Sequence, residues 1–139
     1  MHLDYTAIRV QDLLKSLRFY ARGLGLLEIR RGSHAAGGTW ILLEDPVSRQ
    51  RLELNWYPPG SRNDTPWRNG EELHRLAVRS RDVATVAERL RAAGASDLSS
   101  RRRVPSAESD SVLLEDPNGI VIELLPEHPE LVTPLAAEA

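Results

Sequence analysis

Tyr5-Thr-Ala-Ile-Arg-Val-Gln-Asp-Leu13 and Arg75-Leu-Ala-Val-Arg-Ser-Arg-Asp-Val83 decide the fold, because they read as one segment met twice. A shift of 70 residues lays the first on the second and matches Ala7 with Ala77, Arg9 with Arg79 and Asp12 with Asp82. The same shift carries Glu53 of Arg-Leu-Glu-Leu onto Glu123 of Val-Ile-Glu-Leu. Leu42-Leu-Glu-Asp-Pro46 falls on Leu113-Leu-Glu-Asp-Pro117 at a shift of 71, so one hairpin loop differs by a residue. Three matches in the same order mark a duplicated supersecondary unit.

Each copy reads as strand, helix and three further strands. In the first, alternation over residues 3–10 predicts a strand, Asp12 stands where a helix N-cap belongs, and Leu13, Leu17, Tyr20 and Leu24 supply an apolar helical face. Gly23 and Gly25 end that helix, Gly37-Gly38 marks a turn, and strands are expected over residues 40–43 and 51–57. In the second copy Asp82 caps a helix running to Gly94, and Asp116-Pro-Asn-Gly119 is a hairpin turn. Neither half buries its sheet alone. The expected fold is α+β, with two tandem βαβββ modules pairing into a curved mixed sheet around a pocket. All 139 residues form one domain: module one about 1–57, a linker 58–70 rich in Pro, Gly and Asn, module two about 71–127, and a tail 128–139.

A net charge of -2 implies no bulk attraction to nucleic acid, and residues 101–103, three arginines, read as a solvated loop or edge. With no cysteine, thiolate chemistry and Cys-based metal sites are excluded. No window approaches the roughly 18 apolar residues of a membrane span, and the N-terminus lacks a basic segment followed by an apolar one, so a cytoplasmic protein without membrane partners is expected.

Thr6-Ala-Ile-Arg-Val-Gln-Asp-Leu13, Ser16-Leu-Arg-Phe-Tyr20, Glu115-Asp-Pro-Asn-Gly119 and Ile122-Glu-Leu124 together resemble the vicinal-oxygen-chelate superfamily of glyoxalases, bleomycin resistance proteins and extradiol dioxygenases. The pattern is closest to glyoxalase I-like proteins. In such members a divalent metal is commonly held by His, Glu, His and Glu, from the first and fourth strands of each copy. Carried over by position, those places hold Tyr5, Glu53, Arg75 and Glu123. Strand parity puts Tyr5, Ala7 and Arg9 on one face, and Glu53, Asn55 and Tyr57 on one face. Among the aromatic residues, only Tyr5 and Tyr57 share the parity of the glutamates. His74 falls on the helix side unless the strand slips by one residue, and His2 and His34 read as surface residues.

Two buried carboxylates without a cation repel each other. Arg75 is expected to sit between Glu53 and Glu123 in the place of a metal, with Tyr5 donating to the same carboxylates. The resemblance implies a small-molecule ligand and a homodimer. It leaves two functions open. One is a protein that binds or transforms a small oxygenated molecule without the usual metal, with Glu53, Glu123 and Tyr5 as catalytic groups and Arg9, Arg75, Asn55 and Tyr57 on the ligand. The other is a lyase or epimerase dependent on divalent Ni, Zn, Mn or Fe, held by Glu53, Glu123 and His74.

Overall fold

Both repeats open on a short strand that hands over to a helix capped by aspartate. Strand β1 (Thr6–Arg9) leads to α1 (Leu13–Leu17), where Asp12 Oδ1 accepts from the Lys15 N–H at 3.0 Å; β5 (Arg75–Ser80) leads to α2 (Val83–Ala92), where Asp82 Oδ1 accepts from the Thr85 N–H at 3.0 Å. The Thr85 hydroxyl adds a second bond to Asp82 at 2.7 Å, and these bonds hold the Asp82 carboxyl below its ordinary value. The structure, a computed structural model, describes residues 1–68, 75–98 and 111–127. His74, residues 101–103 and the tail lie outside the described residues.

Four-stranded mixed sheets complete the modules. Module one adds β2 (Leu27–Ser33), β3 (Thr39–Glu44) and β4 (Arg51–Trp56); module two adds β6 (Ser96–Asp97), β7 (Val112–Glu115) and β8 (Val121–Pro126). Their strand orders are β1-β4-β3-β2 and β5-β8-β7-β6, so the same topology occurs twice, with β1 parallel to β4 and β5 parallel to β8. The register repeats as well: Ala7 pairs with Glu53, and Ala77 with Glu123. The α+β class and the two tandem βαβββ modules expected from the repeat are therefore present.

Two local features depart from expectation. Strand β1 begins at Thr6, so Leu3 and Tyr5 precede it and are exposed. The first helix widens after Leu17 into a π-helical turn (Arg18–Gly23), in which the Leu24 N–H reaches the Phe19 carbonyl five residues back, at 3.1 Å. Phe19 and Tyr20, adjacent in sequence, are both fully buried there, with their rings edge to face at 4.9 Å.

Both modules feed one core. Ile8, Ile41, Leu43 and Leu54 from the first sheet, Phe19, Tyr20, Ala87 and Leu90 from the helices, and Leu114, Ile122 and Leu124 from the second sheet form a single buried cluster. Each buried Leu, Ile or Phe among them contributes about 1.5–3 kcal/mol. A polar lock crosses the same boundary. In the turn between β7 and β8, the Asp116 carboxylate accepts from the Tyr20 hydroxyl at 2.5 Å, from the Asn118 and Ile120 N–H groups, each at 2.8 Å, and from the Asn118 amide at 3.0 Å. Asn118 accepts from the Gln11 N–H at 2.9 Å and donates to the Ser16 hydroxyl at 3.1 Å. Burial, followed by the Asp116 charge, pushes the Tyr20 hydroxyl well above its ordinary value.

Candidate functional site

Period-two geometry sorts the residues of β1 and β4 cleanly. Ile8, Leu52 and Leu54 turn into the core, which leaves Ala7, Arg9, Glu53 and Asn55 on the opposite face. In module two the corresponding face carries Arg75, Ala77, Arg79 and Glu123.

The sharpest electrostatic feature of that face is one ion pair. Arg75 Nη1 donates to Glu123 Oε1 at 3.3 Å, with the Arg75 side chain 21% exposed and that of Glu123 only 3%. A guanidinium so placed satisfies a carboxylate that burial would otherwise penalise. Arg75 does not reach Glu53, so the expected bridge between the two glutamates is half formed. Glu53 is half-buried, and its side chain makes no hydrogen bond or ion pair among the described residues. Tyr5, 48% exposed, donates to neither carboxylate.

The other positions on the first sheet have structural duties. Asn55 is buried and its amide donates to the Ile8 carbonyl at 3.4 Å, which ties β4 to β1. Arg9 is held by the linker: Nη1 donates to the carbonyl and the hydroxyl of Thr65, each at 2.9 Å, and Nη2 to Asp64 at 3.3 Å. Its guanidinium lies 5.3 Å from the Trp67 ring and 6.0 Å from that of Tyr57. Tyr57 also neighbours His34 at 5.0 Å. His34, expected at the surface, has a buried Nε2 without a partner.

Trp40 corrects the parity reading. It pairs with Asn55 across β3 and β4, so it shares the face of Glu53, and its indole lies against Gly32, where a Cβ would come within 2.4 Å of the ring. Counting within single strands missed it, because register between strands depends on loop length.

The sequence profile of the Glyoxalase/Bleomycin resistance protein/Dioxygenase superfamily matches residues 2–124. The chain belongs to that superfamily. Three solved structures are similar to this chain in fold. A trypanothione-dependent glyoxalase I from Leishmania major is 24% identical, with a TM-score of 0.70 over 94% of this chain and 90% of that one. TnmS3, an antibiotic binding protein from Streptomyces sp. CB03234, is 22% identical, with a TM-score of 0.61 over 92% and 97%. The fosfomycin resistance protein FosX from Listeria monocytogenes, in complex with Mn(II) and sulfate, is 16% identical, with a TM-score of 0.65 over 93% and 94%. At these identities the likeness shows the fold. No curated protein matches the chain.

Whether the glyoxalase-type metal suits this chain is a question about its donors. At the four positions, Glu123 is engaged by a fixed positive charge, Arg75 supplies that charge, Tyr5 precedes the strand, and Glu53 alone is a free anionic ligand. Such a set does not fit a divalent ion. Among the described residues no cluster of three or more His, Asp or Glu side chains is arranged to hold one, and none of the helices is long and apolar enough to cross a membrane.

Proposed function

We propose that this superfamily member binds a small oxygenated molecule against the face of Glu53, Asn55, Arg75 and Glu123, with the Arg75 guanidinium in the role that a metal ion plays elsewhere. The observation that carries this is the 3.3 Å contact of Arg75 with the buried Glu123 carboxylate. A forked guanidinium that suits a carboxylate also suits polarised oxygens of a ligand. Glu53, free of intramolecular partners among the described residues, accepts a ligand hydroxyl. The same freedom favours a second reading, in which Glu53 is the base that removes a proton next to a carbonyl and Arg75 steadies the oxyanion.

Elemental analysis tests the charge assignment. The protein as purified, and after exposure to Ni, Zn or Mn, is expected to hold well below one equivalent of metal. The pair Tyr5→His and Arg75→His is expected to create a His-Glu-His-Glu set and bring binding to stoichiometry. Tight stoichiometric metal in the unaltered chain, lost in His74→Ala, would overturn the proposal in favour of a metal-dependent lyase or epimerase.

The modules are proposed to act as one domain in a cytoplasmic homodimer. Among the described residues, β1 and β5 are edge strands of separate sheets and are not hydrogen-bonded to each other. A second copy supplies such an edge with a partner. Sedimentation at micromolar concentration is expected to give a dimer, and a monomer alone would remove the idea.

A further inference from the structure

The first part of the linker does not run loose over the surface. Gly60 N–H donates to Asp64 Oδ2 at 2.8 Å, the Ser61 N–H to the Pro58 carbonyl at 3.1 Å, and the Asp64 N–H to the Ser61 carbonyl at 3.0 Å. The loop so formed presents Asp64 and Thr65 to Arg9 and brings Trp67 beside the guanidinium. The result is a half-open cavity of about 460 Å³ at the end of β1 and β4, walled mainly by Trp56, Tyr57, Pro59, Pro66 and Trp67. Its size is that of a small-molecule site.

We propose that this cavity binds a neutral, flat aromatic molecule of two or three fused rings carrying oxygen acceptors. The site lies at the Arg9 end of the face that carries Glu53, and it is independent of the function proposed there. Flat walls of indole, phenol and proline select a flat ring system, because stacking gains area at little conformational cost. Neutrality follows from Arg9, whose charge is already met by Asp64 and two bonds to Thr65. An anion must lie near Asp64, and a cation must lie beside the guanidinium. A neutral ring does neither. The acceptors follow from Tyr57 and Trp56, two lining residues with polar hydrogens whose side chains make no hydrogen bond among the described residues.

Three probes sharing one ring system separate these terms in calorimetric titrations of the full chain at neutral pH: 2-naphthol, 2-naphthoate and 2-naphthylmethylammonium. The naphthol is expected to bind, and the two ions at least about tenfold more weakly. Trp67→Ala is expected to weaken naphthol binding about tenfold or more, with Trp67→Phe retaining most of it and showing that the loop still folds. Glu53→Gln and Glu123→Gln are expected to leave it unchanged. Tightest binding of the naphthoate, indifference to Trp67→Ala, loss of binding in either glutamine variant, or no binding of any probe at millimolar concentration would each overturn the proposal.

Discussion

The two Asp-Pro turns follow the same Leu-Leu-Glu triplet and end differently. Asp45 accepts from the Val47 and Ser48 N–H groups at 2.7 and 3.0 Å, and its loop projects outward with Val47 91% exposed. Asp116 makes the same kind of local bonds, yet it and Asn118 are buried against the first helix. Turn chemistry is therefore common to both, and the fate of each turn is set by what the other module offers it. The helix of module one presents Ser16 and Tyr20, polar groups that reach Asn118 and Asp116. At the matched positions the helix of module two has Val86 and Leu90, which cannot reciprocate. A sequence that repeats need not bond symmetrically.

The largest expected effect breaks this comparison directly. Asp116→Ala strands the Tyr20 hydroxyl and two buried N–H groups and is expected to cost about 3 kcal/mol or more, against about 1 kcal/mol or less for Asp45→Ala, by urea denaturation. Equal costs would mean that burial of the second turn adds nothing.

Tyr20→Phe keeps the ring and removes the hydroxyl, at an expected cost of about 1–2 kcal/mol near neutral pH. Because the folded state holds the Tyr20 proton more tightly than the unfolded chain does, the contribution is complete below the ordinary tyrosine value of about 10 and declines as pH rises above it. The advantage of the unaltered chain over Tyr20→Phe is expected to shrink in denaturation series taken above that pH. An advantage that stayed constant would dissociate Tyr20 from the lock.

The caps should show the opposite of the turns, since they repeat in both sequence and structure. Asp12→Ala is expected to cost about 1 kcal/mol. Asp82→Ala is expected to act in the same direction, and its effect should fade as pH falls through the lowered Asp82 value, where the carboxylate takes up a proton. Thermal melts across acidic pH would check both.

Much of this was legible in the sequence. Ala7 with Ala77, Asp12 with Asp82 and Glu53 with Glu123 announced the duplication, and period-two counting put Glu53 and Asn55 on the face opposite Leu52 and Leu54. What escaped needed information that local pattern does not hold. The burial of Asp116 depends on Tyr20, 96 residues away. Trp40 was misassigned because its face depends on the register between β3 and β4. The linker read as irregular from its breakers, while its order comes from Arg9, 56 residues from Thr65. Arg75 contacts Glu123, and whether it also reaches Glu53 depends on two different sheets, which no single strand records.

The reach of the Tyr20 to Asp116 bond also bears on how the chain is made. At ordinary rates of synthesis, the 96 residues between them take about 5–20 s to follow one another off the ribosome. For that interval the first helix holds Tyr20 and Ser16 without their eventual partners, beside a core still missing Leu114, Ile122 and Leu124. Module one is thus a waiting half, and the length of its wait is written into the position of a single turn.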